Sequence, residues 1–115
     1  MSKRTDRDLI EDILICISKI RQYSQGISYE DFVDDFKTQD AIIRNLEIIG
    51  EASKQISPEL KDKYPFVLWK MIAGTRDRLI HGYFGVNIDI VWDIVTMDIP
   101  VLEREFKKIK REYCS

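Results

Sequence analysis

Leu9, Ile10, Ile13, Leu14, Ile17 and Ile20 recur at steps of three and four residues, the spacing that lines one face of an α-helix. No stretch of the chain shows sustained apolar–polar alternation, so a sheet has nothing to build on. The same helical spacing returns in Ile42, Leu46, Ile49 and Ile56, and again in Val91, Val95, Leu102, Phe106, Ile109 and Tyr113. The expected fold is all-α: a bundle of four main helices plus short extra helices, mostly antiparallel because the connections are short. With 115 residues, 1–115 is read as one domain with one core.

Capping residues divide the pattern. Thr5 is placed to start the first helix. "QGIS" at 25–28 breaks the chain, and Ser28 can cap a short acidic helix, "YEDFVDDF". The second long helix is expected from near Thr38 and ends around "ISPEL", where Ser57 and Pro58 suit an N-cap and a first-turn proline. After Pro65 a third main helix is expected over 66–80, closed by His81-Gly82. Asn87 or Asp89 can cap the last helix, which runs toward Glu112 with Pro100 inside it as a source of a kink. Gly50 and Gly74 interrupt helical patterns at about 1 kcal/mol each relative to alanine. They mark either a close helix crossing or cleared space beside a site.

Composition narrows the function classes. Apolar runs reach only about four residues, as in Leu14 to Ile17, too short to span a bilayer. The charged start "MSKRTDRDLIED" contains no apolar secretory core, and a cytoplasmic protein without a membrane partner is expected. Cys16 reads as a small buried hydrophobe and Cys114 as a tail thiol. With a single histidine, no metal site and no cofactor are expected. The net charge of −2 argues against a general phosphate-backbone binder and against DNA as a partner. Contact with RNA would need locally concentrated positive charge. The basic "KKIKRE" near the end is diluted by Glu103, Glu105 and Glu112 and reads as a solvated helix end.

The stretch "TRDRLIHGYFGV", residues 75–86, holds the only histidine. In a continuous helix His81 would lie about 140° around the axis from Arg76. Unwinding at Gly82 would let the ring swing back toward the guanidinium. A histidine exchanges protons near neutral pH and an arginine stabilises charge on phosphate, a combination suited to metal-free RNA cleavage. That reaction needs two proton transfers, so one histidine per chain makes a two-fold dimer attractive. The bland alternative stays open. His81 can simply be a cation favoured at a helix end, Arg76 and Arg78 surface charges paired with Asp77, and Tyr83 and Phe84 core aromatics.

"IAGTRDRLIHGYFGVNIDIVW" resembles the HepT family, minimal members of the HEPN superfamily of helical domains. The family pattern R-x-x-x-x-H-x-Y is met by Arg76, His81 and Tyr83, and a polar residue, Asp77, follows the arginine. "RNLEIIGEASKQIS" at 44–57, "PFVLWKMIAGTRDRL" at 65–79 and "VWDIVTMDIPVLE" at 91–103 extend the similarity over most of the chain from Ile42. The resemblance implies a HEPN-type bundle and a metal-independent ribonuclease toxin of a type VII-like toxin–antitoxin pair. It implies a homodimer with Arg76 and His81 at the dimer cleft and Asp77 in support. It also implies an MNT-type nucleotidyltransferase antitoxin that transfers AMP to Tyr83. Arg44 and Glu51, in a matching stretch, are candidates for the same cleft. The competing readings are a non-catalytic helical subunit that presents substrate to a nucleotidyltransferase, and a plain structural helical dimer.

Overall fold

The structure is a computed structural model that describes residues 4–79 and 85–113. The helices are α1 (Asp6–Ser24), α2 (Tyr29–Asp34), α3 (Phe36–Gln55), α4 (Pro58–Lys63), α5 (Trp69–Ala73), α6 (Thr75–Leu79), α7 (Ile88–Asp93) and α8 (Ile99–Tyr113). A π-helical turn, Ile94–Asp98, joins α7 to α8. Among the described residues there is no β-strand, and the architecture is the all-α bundle expected from the apolar spacing.

The three apolar stripes meet in one core. Ile10, Ile13, Ile17 and Ile20 of α1 face Ile42, Leu46 and Ile49 of α3, and Ile99, Phe106 and Ile109 of α8 complete it, all buried. Each such side chain contributes about 1.5–3 kcal/mol when removed fully from water. The start of α1 is tied to the end of α3. Asp6 accepts hydrogen bonds from the Ser57 backbone N–H at 2.9 Å and its hydroxyl at 2.5 Å, so the two long helices run antiparallel. Near the other end of α1, Arg21 reaches Glu103 of α8 at 3.7 Å.

The expected caps are present. Thr5 and Ser28 form capping boxes with Asp8 and Asp31, Ser57 accepts from Leu60, and Asn87 rather than Asp89 caps α7. Gly26 takes the left-handed backbone that ends α1 (φ +75°). The second long helix starts earlier than Thr38, at Phe36. Asp35 accepts from the Thr38 N–H at 3.0 Å and its hydroxyl at 2.6 Å, which also stops α2 at Asp34. Buried Gln39 donates to the carbonyls of Phe32 and Val33 and holds α2 against α3.

The third main helix expected over 66–80 is instead two single turns, α5 and α6, broken at Gly74. Thr75 is buried and donates its hydroxyl to the Ile72 carbonyl at 2.6 Å, a local bond that competes with helix continuation. At the last helix the disturbance expected from Pro100 takes the form of the π-helical turn directly upstream, with the Ile99 N–H bonded to the Ile94 carbonyl. Tyr113, expected on the apolar stripe, is 42% exposed because α8 has by then run past the core. Cys16 is a free thiol buried in α1, and burial pushes its pKa up. Cys114 lies outside the described residues. No described helix is long and apolar enough to cross a membrane.

Candidate functional site

Gly50 determines where the site can form. A Cβ on Gly50 would stand 3.2 Å from the Ile72 carbonyl oxygen and 3.7 Å from that of Ala73. The bare glycine lets α3 lie against the backbone of α5 just before the Gly74 break, so it marks a close crossing and lines the groove beside it. Two residues after the break, Arg76 of α6 lines that groove together with residues of α3.

The result is an open groove of about 540 Å³ between α1, α3 and the α5–α6 junction. Arg76 lines it with Arg44 and Glu51, three residues the sequence had singled out separately. Arg44, Glu47 and Glu51 lie three, four and seven residues apart on α3, so the helical period sets all three along one face. Arg4 and Asp12 enter from the α1 side, where one Arg4 nitrogen contacts both Asp12 oxygens at 2.6 Å.

Four cationic side chains and three carboxylates line this groove, so its formal charge is positive although the whole chain is net −2. The carboxylates are not evenly shared. Asp12 is engaged by Arg4, and Glu51 is reached by Lys54 at 3.4 Å. Arg44 and Arg76 are exposed and make no ion pair with any described residue. Two solvent-facing guanidiniums in one concave surface suit a phosphate-bearing ligand, because each can bond two phosphate oxygens at once.

Asp77 is exposed and does not line the groove; nor does it pair with Arg78. Arg78 turns the other way and binds Asp98, in the π-helical turn, at 3.2 Å, fixing α6 against the last helix. The roles expected of His81, Gly82 and Tyr83 fall on residues outside the described ones. The Asn87 N–H donates to the Leu79 carbonyl at 2.8 Å. Gly85 adopts left-handed backbone (φ +86°). Among the described residues no cluster of three or more His, Cys, Asp or Glu side chains could hold a metal ion.

Sequence reasoning missed Arg4, Asp12 and Glu47. The period of α3 could have found Glu47, one turn beyond Arg44. Nothing local could have found Arg4 or Asp12, which reach the groove only because α1 packs antiparallel to α3.

Residues 13–109 match the family described as "Ribonuclease HepT-like". The chain is 46% identical over 109 residues to "Probable ribonuclease HepT" of Thermococcus cleftensis, covering 95% of this chain and 99% of that relative. It is also 46% identical to a protein of Caldanaerobacter subterraneus named "Putative RNase", over 92% of this chain and 95% of the relative. A Methanocaldococcus jannaschii protein with the same form of name is 41% identical, over 97% and 93% of the two chains. No solved structure matches the chain significantly. The chain belongs to the HepT-like ribonuclease family of the HEPN superfamily.

Proposed function

We propose that this chain is a metal-independent endoribonuclease working as a homodimer, with Arg76 and His81 as its catalytic groups. The observation that carries the reading is the groove in which Arg76 stands exposed beside Arg44, with no ion pair among the described residues, in a member of a ribonuclease family. One His81 takes the proton of a ribose 2′-hydroxyl, and the freed 2′-oxygen attacks the adjoining phosphorus. Arg76 neutralises the charge that builds on the phosphoryl oxygens. The bond from phosphorus to the 5′-oxygen breaks, and a protonated histidine from the second subunit supplies the leaving oxygen with its proton. The products are a 2′,3′-cyclic phosphate and a 5′-hydroxyl. Asp77 supports Arg76 from outside the groove, as a neighbouring negative charge.

The same reading makes the protein the toxin of a toxin–antitoxin pair. Its partner is an MNT-type nucleotidyltransferase that silences it by adding AMP to Tyr83. A nucleotide attached two residues from His81 would put negative charge and bulk where an RNA phosphate has to enter.

Induced alone in a bacterial host, the protein is expected to arrest growth, and Arg76→Ala or His81→Ala to relieve the arrest. The purified wild type is expected to cleave single-stranded RNA in the presence of EDTA, and Arg76→Ala to lower the rate about a hundredfold or more. A folded, dimeric wild type that is harmless and cuts no RNA overturns the proposal and favours the non-catalytic subunit. After co-expression with the nucleotidyltransferase, intact mass is expected to show AMP adducts on the wild type and none on Tyr83→Phe. Persistence of the adduct in that variant removes Tyr83 from the account.

A further inference from the structure

Arg44 has three carboxylates in its own groove and pairs with none of them. Asp12 is held by Arg4 and Glu51 is reached by Lys54, while Glu47, one turn along α3 from Arg44, forms no ion pair among the described residues. Arg44 is exposed and without an ion pair among the described residues, as Arg76 is.

The two arginines are not at one point. Arg44 lies six residues before Gly50, the crossing of α3 with the α5 backbone, a rise of about 9 Å along the helix. Arg76 follows immediately after that crossing, on the other wall. Their separate backbone positions suit a ligand that carries two anionic groups spaced along an extended path. Glu47 stands between them on α3 and disfavours a phosphate at its own level, which keeps the two anion positions separate.

Building on the ribonuclease reading, in which Arg76 holds the scissile phosphate, the geometry points to Arg44 as the anchor for a flanking phosphate of the same RNA strand. Arg44 binds and registers the strand and takes no part in the bond exchange. The groove floor on α3 becomes the track along which single-stranded RNA approaches.

The test uses the full chain with His81→Ala, so that RNA is bound without being cut, and a fluorescent single-stranded oligoribonucleotide titrated at several salt concentrations. Adding Arg44→Ala is expected to weaken binding about tenfold. It is also expected to make the dependence of log affinity on log salt shallower by about 0.7, the signature of one lost single-strand phosphate contact. Arg44→Lys should restore the slope while recovering only part of the affinity, because a point charge replaces a two-pronged contact. Lys110→Ala, an equal charge change on α8, should move neither quantity. In the His81-bearing enzyme, Arg44→Ala should raise KM and leave kcat nearly unchanged. Thermal melts verify that these exposed substitutions leave the fold intact, and Arg44→Gln replaces Arg44→Ala if the latter melts lower. Unchanged affinity and slope in Arg44→Ala, with Arg76→Ala still reducing both, overturn the anchor and leave the ribonuclease reading standing. A wild type that neither binds nor cuts RNA brings both down.

Discussion

Where α1 meets α3, the contact is between large aliphatic side chains, Ile10, Ile13 and Ile17 against Ile42, Leu46 and Ile49. Where α3 meets α5, it is a glycine against a main-chain carbonyl, Gly50 against Ile72. The first interface is wide and apolar, and it derives its strength from area removed from water. The second is narrow, and what it provides is closeness: it sets the distance from α3 to the chain that carries Arg76. One half of the protein is thus organised for stability and the other for position, and α3 takes part in both.

Substitutions can set these halves against each other. Ile13→Ala should cost about 3–4 kcal/mol in chemical denaturation, since it empties a fully buried site in the wide interface. Under conditions where that variant remains folded, RNA cleavage per folded molecule should be close to wild type. Gly50→Val should reverse the pattern. It should cost about 2 kcal/mol, because its branches cannot share space with the Ile72 carbonyl. Cleavage should fall more than stability does, since α5 and α6 are displaced. Gly50→Ala should be nearly neutral in stability, its gain in helix propensity of about 1 kcal/mol offsetting a contact only a few tenths of an ångström too tight. Equal loss of activity per folded molecule in Ile13→Ala and Gly50→Val would erase the distinction between the two interfaces.

The smallest effect lies at the start of α3. Hydrogen bonds from the Thr38 hydroxyl and then its backbone N–H hold the Asp35 carboxyl below the usual carboxylate range. A pKa depressed in the folded state stabilises above the unfolded value of about 4, and that contribution is lost as pH falls through the lower folded value. Asp35→Asn should therefore be less stable than wild type at pH 6, and the gap should narrow by pH 3, read as urea midpoints. A gap that is constant with pH would show that the carboxylate charge adds nothing to the cap.

These interfaces also explain what could be read before the fold was known. Long apolar stripes are local patterns, and they located α1, α3 and most of the last helix because burial rewards every member of a stripe. Caps are local too, and Thr5, Ser28, Ser57 and Asn87 all act as their positions suggested. Gly74 reads from the sequence as an interruption within one helix, and it becomes a break because Thr75 and the α3 crossing, rather than propensity over 66–80, decide that segment. Tyr113 fits the α8 period, yet the stripe outlasts the core it faces. In the groove, Arg76 and Glu51 were both visible as residues of interest. Their convergence depends on Gly50, 26 positions before Arg76, and the Arg4–Asp12 wall depends on α1 lying antiparallel to α3.

The π-helical turn at Ile94–Asp98 is the one place where the last helix can change its count without losing its phase. A wide turn works as one spare residue in an otherwise regular thread. Its final residue, Asp98, is the one that Arg78 grips from α6. Removing a single residue between 94 and 98 would restore an even thread and keep the two ends in nearly the same phase. Removing one from the regular turns on either side would instead turn one end against the other by about 100°. Either Val91 and Ile94 would swing out of the core, or Asp98 would swing away from Arg78. Outside that turn this helix has its phase set twice, once by the core and once by the arm that carries Arg76.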